Sequence, residues 1–299
     1  MQRPNSNDHN ILILGSSGLL GWNLAKYFLQ DNYNVLGTYL SHNLESEFRQ
    51  VKLDIFKNSL DNIQGLNFNP TVIINTIACT SVDECESNRA LAMKLNVESV
   101  SKVVELQKHF PKSKIIHFST DQVQDGKQGN FKESELTEPV NFYGETKILG
   151  ENIALKVENN LVIRTNFFAN SHPWRQSLSN WIYQQLVEKK ELKLFEDNIF
   201  NPISVKFLYK YLQEMILSEL SGVYHLCGST VLSKYDFGLK IADYYRLDKK
   251  LITPIKVSDK KLLATRPLNM SLNIQKIENA LDMSMPSIEN SIATLSNQG

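Results

Sequence analysis

The chain carries no excess charge of either sign: 32 Lys and Arg residues face 32 Asp and Glu over 299 residues. Nucleic acid and anionic membranes attract proteins through a basic field, so neither is an expected partner. Any phosphate must be met by a local site. Cysteine is scarce too. Cys79, Cys85 and Cys227 are odd in number and show no C-x-x-C spacing. They predict free thiols in a reducing compartment rather than a disulfide framework. The histidines, His9, His42, His109, His117, His172 and His225, are scattered without ligand spacing, and no metal is expected. Long apolar runs are also missing. The polar start Met1–Asn10 leads into Ile11–Leu14, too short for a signal-peptide core or a membrane span, so a cytoplasmic location is expected.

What is present is an ordinary globular composition, 42% hydrophobic and 21% charged. A chain of this length buries roughly 75% of its unfolded surface without covalent staples. Short apolar runs at Ile11–Leu14, Tyr33–Tyr39, Val51–Leu53, Thr71–Ile74, Ile115–Phe118 and Leu161–Arg164 predict strands. Helical spacing over Leu19–Gln30, a long stretch Glu86–Lys108, and Asn141–Lys156 falls between them. Strands alternating with helices predict an α/β fold, a doubly wound parallel sheet of the Rossmann type. Residues 1–170 form that sheet domain in this reading. Residues 171–299 form mainly a smaller C-terminal substrate-binding lobe, with helices over Ser177–Lys189, Val205–Leu220 and Tyr235–Tyr245. Within it, residues 196–227, including a strand at Gly222–Leu226, return to the sheet.

Gly15, Gly18 and Gly21 form a G-x-x-G-x-x-G pattern between the first strand and the first helix. A tight turn there needs a residue free at positive φ, the backbone must approach a pyrophosphate, and the helix N-terminus offers unpaired N–H groups to the anion. The pattern predicts a dinucleotide site made by Gly15, Ser16, Ser17, Gly18, Leu19 and Leu20, the serines adding hydroxyl donors. The end of the second strand, Gly37–His42, lacks the acidic residue that would hold a ribose 2′-hydroxyl. Ser41 and His42 would instead meet a 2′-phosphate, which favours NADP(H) and leaves NAD(H) as the alternative; a surface loop indifferent to the phosphate is the plainer reading. Asp54, followed by Ile55, is placed to meet the adenine amine or else to cap a helix. Asn75–Ala78 ends the fourth strand, where such sheets open toward the ligand.

Tyr143 and Lys147 stand four apart on a predicted helix, which puts them on one face. A tyrosine alone is a poor acid–base catalyst at neutral pH, and a neighbouring ammonium favours its phenolate. The same spacing arises on many solvated helices. Upstream, Ser119-Thr120-Asp121 closes the fifth strand at the ligand edge of the sheet, where a hydroxyl can polarise a carbonyl. Together with the glycine loop these elements predict Thr120, Tyr143 and Lys147 as the catalytic set.

At this point the chain resembles the extended short-chain dehydrogenases/reductases, and within them is similar to the dTDP-4-dehydrorhamnose reductase family. The motifs that carry the resemblance run through most of the chain. They are Gly15–Gly21, Val82-Asp83-Glu84-Cys85-Glu86, Leu95-Asn96-Val97, Ser119–Gly126 and Glu138-Pro139. They continue with Tyr143–Lys147 and its following Gly150-Glu151, then Ile163-Arg164-Thr165, Asn201-Pro202-Ile203 and Thr265-Arg266-Pro267. The resemblance implies hydride transfer from a nicotinamide to the ketone of a nucleotide-linked 4-keto deoxysugar. Tyr143 would supply the proton, Lys147 would tune it and bind the nicotinamide ribose, and Thr120 would hold the carbonyl oxygen. Asn96 would orient the site or support Lys147 through water, or else bond the sheet backbone. Thr80, Asp121, Gln122, Asn166, Trp174 and Arg266 would face the sugar nucleotide, with a structural ion pair as the other reading of Arg266 and an ordinary loop anchored by a buried tryptophan as the other reading of Trp174. Self-association as a homodimer stays open.

The chain also departs from that family. Gln122 and Gln124 stand where aromatics are usual, Ile77 where a small residue is usual, and Asn166–Arg175 follows no usual pattern. The related 4,6-dehydratases follow the Thr-Asp pair with a glutamate; the amide of Gln122 cannot take up a proton, which argues against dehydration. A nucleotide-sugar epimerase uses the same tyrosine, lysine and nicotinamide, and remains an alternative. So does a cofactor-binding regulatory subunit, such as the β subunit of methionine adenosyltransferase, which would not require an intact Thr120, Tyr143 and Lys147.

Overall fold

The first strand, β1 (Asn10–Leu14), is apolar after its opening asparagine, and Ile11, Leu12, Ile13 and Leu14 are all fully buried. Only a strand covered on both faces needs apolar residues on both. The computed structural model, which describes residues 9–57, 67–170, 172 and 174–295, places β1 in the interior of a seven-stranded sheet. Its neighbours on one side are β2 (Asn34–Tyr39) and β3 (Arg49–Lys52). On the other side stand β4 (Val72–Asn75), β5 (Lys114–Thr120) and β6 (Leu161–Thr165). Every pairing in this sheet is parallel. The chain runs outward from β1 to β3 and then restarts at β4 on the far side of β1. The crevice at the carboxyl ends of β1 and β4 is therefore the switch point where sheets of this kind take ligands.

The strand period of two sorts the core. Ile11, Ile13, Ile74 and Ile116 face the Leu19–Gln30 helix, whose Leu24 and Phe28 pack on them. Leu12, Leu14, Ile73 and Ile115 face Val103 and Leu106 of the Ser99–Gln107 helix. The helix expected over Glu86–Lys108 is not continuous. Ser81 caps one helix, Val82–Ser87; Asn88 leaves helical dihedrals, and its side chain accepts the Leu91 N–H at 3.1 Å to open another, Arg89–Met93. A π-helical turn, Lys94–Glu98, follows before the Ser99–Gln107 helix. Apolar periodicity survives across the breaks, which is why they are invisible to it.

A second core lies beyond β6. β7 (Phe167–Phe168) lines up with β10 (Ile203–Ser204), β8 (Leu192–Phe195) with β13 (Ile252–Ile255), and β9 (Ile199–Phe200) with β12 (Leu232–Ser233). Phe168, Ile182, Phe200, Phe237 and Ile288 pack together there, supplied in part by the helices Leu178–Val187, Lys234–Tyr245 and Ile288–Ala293. Within residues 196–227 the chain crosses back. Phe200 belongs to the second core, whereas Ile203, Leu208 and Tyr224 belong to the first. The Val205–Leu217 helix packs against the Leu19–Gln30 helix, and β11 (Gly222–His225) pairs with β6 as the seventh strand. Ile277 and Met285 also pack on the main core, a second return that no periodicity announces. No helix among the described residues is long and apolar enough to cross a membrane.

Candidate active site

The turn after β1 is built as the glycine pattern requires. Gly15 sits at φ +83°, where a side chain would be strained. A Cβ on Gly21 would stand 2.6 Å from the Gly15 carbonyl oxygen and 2.8 Å from Thr76 Oγ1, so the helix can lie this close to β1 and β4 only with glycine there. Gly18 caps the helix without a side chain, leaving its first N–H groups open, and Gly18, Leu19 and Leu20 line the cavity in front of it. Ser16 is not part of that lining. Its hydroxyl donates to the Thr38 carbonyl at 3.0 Å and its N–H to the same oxygen at 2.8 Å, tying the turn to β2. The expectation that the Ser16 hydroxyl meets a phosphate is therefore corrected: it is fully buried and occupied. Ser17 is the half-buried hydroxyl of the turn.

At the end of β2, Ser41 Oγ and His42 Nδ1 lie 2.9 Å apart. The His42 ring stacks on Trp174, with centroids 4.2 Å apart and planes 14° from parallel. Trp174 thus stands at the β2 edge in this structure. Its neighbour Arg175 lines the main cavity, with its guanidinium 4.8 Å over the Trp174 ring. Asp54 acts as a turn cap: its Oδ1 accepts the Phe56 N–H at 3.1 Å, and Lys57 lies 3.5 Å from its Oδ2. Ile55 packs half-buried on the core side of the sheet.

The main cavity, about 460 Å³, is lined by the glycine loop, Ala78, Thr80, Thr120, Gln122, Asn166 and both Tyr143 and Lys147. Tyr143 and Lys147 project from the Phe142–Ala154 helix, capped by Asn141, whose Oδ1 accepts the Gly144 N–H at 2.9 Å. Burial raises the Tyr143 phenol above its ordinary range, opposed by a side-chain hydrogen bond with Thr120. The Thr120 hydroxyl donates its one proton to Asp121 Oδ1 at 3.0 Å, and Asp121 Oδ2 accepts from Asn166 Nδ2 at 2.8 Å. Asp121 is buried and thus positions Thr120 from behind. Lys147 Nζ donates to the Phe118 carbonyl at 2.7 Å. Burial pushes Lys147 down to about 8, and the Glu151 carboxylate opposes that shift.

Asn96 lies outside the cavity and is fully buried. Its Oδ1 accepts the Cys79 N–H at 2.8 Å, and its Nδ2 donates to the Cys79 carbonyl at 3.1 Å and Thr146 Oγ1 at 2.9 Å. The side chain fastens the loop after β4 to the Phe142–Ala154 helix.

A second cavity of about 350 Å³ shares Gln122, Asn166 and Leu178 with the first. Its wall adds Trp181, Phe195, Lys193 and Lys234, residues that no sequence spacing singled out. Burial pushes Lys234 down to about 7, opposed by the charge of Asp121. Arg266 also lines this cavity while Nη2 pairs with Asp83 Oδ2 at 2.9 Å. The two glutamines divide. Gln122 stands at the junction of the cavities, its Oε1 accepting from Asn141 Nδ2 at 3.2 Å, whereas Gln124 is buried and lines neither.

The family model for the RmlD substrate binding domain matches residues 9–298. The dTDP-4-dehydrorhamnose reductase of Aggregatibacter actinomycetemcomitans is 31% identical over 288 residues, covering 90% of this chain and 92% of that protein. Methionine adenosyltransferase 2 subunit beta of Pongo abelii is 27% identical over 288 residues, covering 93% of this chain and 84% of that protein. The crystal structure of a hypothetical dTDP-4-dehydrorhamnose reductase from Sulfolobus tokodaii matches with a TM-score of 0.81 at 31% identity, covering 95% of this chain and 98% of that one. A family match along nearly the whole described chain, on a parallel sheet with the glycine turn, Thr120, Tyr143 and Lys147 around one cavity, shows that the protein belongs to the RmlD substrate binding domain family.

Proposed function

We propose that this chain reduces the 4-keto group of a nucleotide-linked deoxysugar with a reduced nicotinamide cofactor, NADPH in preference to NADH. The observation that carries the reading is the meeting of the Tyr143 and Thr120 hydroxyls in a cavity that also reaches Lys147 and the glycine turn.

The residues fit a dinucleotide. Gly18 and the first turn of the Leu19–Gln30 helix offer N–H groups to a pyrophosphate, and the close packing at Gly21 clears the approach. Lys147 would meet the nicotinamide ribose. The end of β2 has no acid, and Ser41 and His42 offer a hydroxyl and a ring nitrogen to a 2′-phosphate. When bound, the cofactor supplies hydride to the carbonyl carbon. The protein supplies the rest. With its single proton turned from Asp121 to the substrate, Thr120 donates to the carbonyl oxygen, and Tyr143 gives that oxygen its proton as charge develops. Burial that keeps the Tyr143 phenol protonated suits this reducing direction, in which the tyrosine begins as an acid. Gln122, an amide at the cavity junction, is neither an acid nor a base near neutral pH, so this position lacks the carboxylate an elimination would use. In the second cavity, Lys193 and Lys234 suit a diphosphate, and Trp181 suits a base.

The likeness to a subunit of methionine adenosyltransferase supports a second reading, a cofactor-binding partner protein. The intact Thr120, Tyr143 and Lys147 favour the enzyme. Absorbance of NADPH and NADH, followed against a panel of nucleotide-linked 4-keto sugars, separates the readings. Stoichiometric loss of NADPH with at least one sugar is expected. Isomerised sugar with a retained cofactor would instead mark an epimerase, and inertness across the panel together with a stable hetero-complex would mark a partner protein.

A further inference from the structure

Tyr143, Lys147 and Glu151 recur every four residues on the Phe142–Ala154 helix, so the first two share their face with a carboxylate one turn deeper. That carboxylate is enclosed. The Glu151 and Arg164 side chains are 3% and 6% exposed, and they are joined at 2.7 Å from Nη2 to Oε2 and at 3.0 Å from Nε to Oε1. Ser119 Oγ donates to Glu151 Oε1 at 2.5 Å. Ser119 and Arg164 are register partners on β5 and β6, and the next pair is Thr120 with Thr165. Glu151 therefore clasps both strands one residue before the threonine of the reaction site. Arg164 keeps Nη1 without a partner among the described residues, so the pair is not a fully satisfied network. Two buried charges held this way contribute little to stability that an apolar pair of the same volume would not. Their place behind the site is the better account of them.

We infer that Glu151, held by Arg164 and Ser119, is a positioning residue for the reduction: it fixes the β5 end that carries Thr120 and keeps Lys147 cationic under Tyr143. The inference rests on the proposed reductase reading. Besides Glu151, the groups around Lys147 are His117 from β5 and Cys85 from the Val82–Ser87 helix, with Tyr143 one turn away and Arg164 behind Glu151. His117 is held neutral by its burial and by the Lys147 charge, and burial pushes the Cys85 thiol up to about 12, so neither is charged near neutral pH. Glu151 is the group whose charge opposes the depression of Lys147 by burial.

Two readouts test this. Lysine labelled with carbon-13, with the Lys147 signal assigned by its loss in Lys147→Met, gives the Lys147 titration directly by NMR, with no substrate needed. The alkaline limb of kcat for NADPH oxidation gives the catalytic counterpart. Glu151→Gln removes the carboxylate charge and leaves Arg164 unmatched, so Lys147 titrates lower by about one pH unit, and the alkaline limb of kcat moves down with it. The double variant Glu151→Leu with Arg164→Met leaves no unmatched buried charge, folds, and shows a smaller shift in the same direction. An unmoved Lys147 titration in both variants, with only lost stability, would overturn the inference, as would a shifted titration that leaves the kcat limb in place. A wild-type chain inert across the sugar panel overturns the reductase reading itself, and the lysine titration still reports separately whether Glu151 sets that charge.

Discussion

Tyr143 shows how much one side chain's surroundings decide. Its hydroxyl is buried against Thr120, and the proton stays on it because a phenolate there would lose its water without a cation in direct contact. Tyr143→Phe removes one hydroxyl and one hydrogen bond, worth about 1 kcal/mol of stability. The variant is expected to fold and to bind cofactor, with kcat lower by roughly 10²- to 10⁴-fold. NADPH oxidation beside a melting curve checks both halves, and near-normal turnover would remove Tyr143 from the proton transfer. Residues of this kind are legible in a sequence because their chemistry is fixed by type and local spacing. Ser16 and Trp174 were not. Ser16 turns to Thr38, and Trp174 reaches His42, through contacts between distant segments that only the assembled sheet brings together.

At the scale of an element, the Phe142–Ala154 helix is placed by what it lacks. A Cβ on Gly150 would stand 2.6 Å from the Asn96 carbonyl oxygen and 3.3 Å from His117 Nε2. Gly150→Ala therefore pushes the helix away from the Lys94–Glu98 turn, at a cost of about 1–3 kcal/mol. Lys147 and Tyr143 ride on the same helix, so kcat falls together with the melting temperature. Unchanged stability in this variant would mean that the helix and the turn are less closely packed. The π turn was not legible, because it inserts no proline or glycine to announce itself; Asn88 and Asn96 act through their side chains instead. The main strands were legible to within about two residues, since all but β3 are short, largely apolar and followed by a polar turn. The two-residue strands of the second core were not, because so short a pairing leaves no period to read.

Over the whole molecule, acid works against the fold through its buried imidazoles. His117 and His225 are fully buried and held neutral: His117 well below its ordinary range, and His225 pushed down to about 3, in both cases chiefly by burial. Their folded-state pKa values lie below those of the unfolded chain, so the unfolded chain takes up protons first. Stability present above about pH 6.5 is then lost as the pH falls. Two such groups cost at most roughly 3 kcal/mol per pH unit below that point. Melting temperatures from pH 7.5 down to 5 should decline most steeply below about 6.5. A flat profile across that range would show that these rings accept protons without unfolding.

The pairing of β11 with β6 also bears on how the chain is made. While the ribosome has delivered only residues up to β6, that strand presents an unpaired edge, and the Leu19–Gln30 helix lacks the Val205–Leu217 helix that covers it. The cofactor half thus waits for residue 225 before its sheet is closed. A fragment cut after β6 would carry every glycine of the turn and both Tyr143 and Lys147, yet would expose an open edge prone to pairing with other chains.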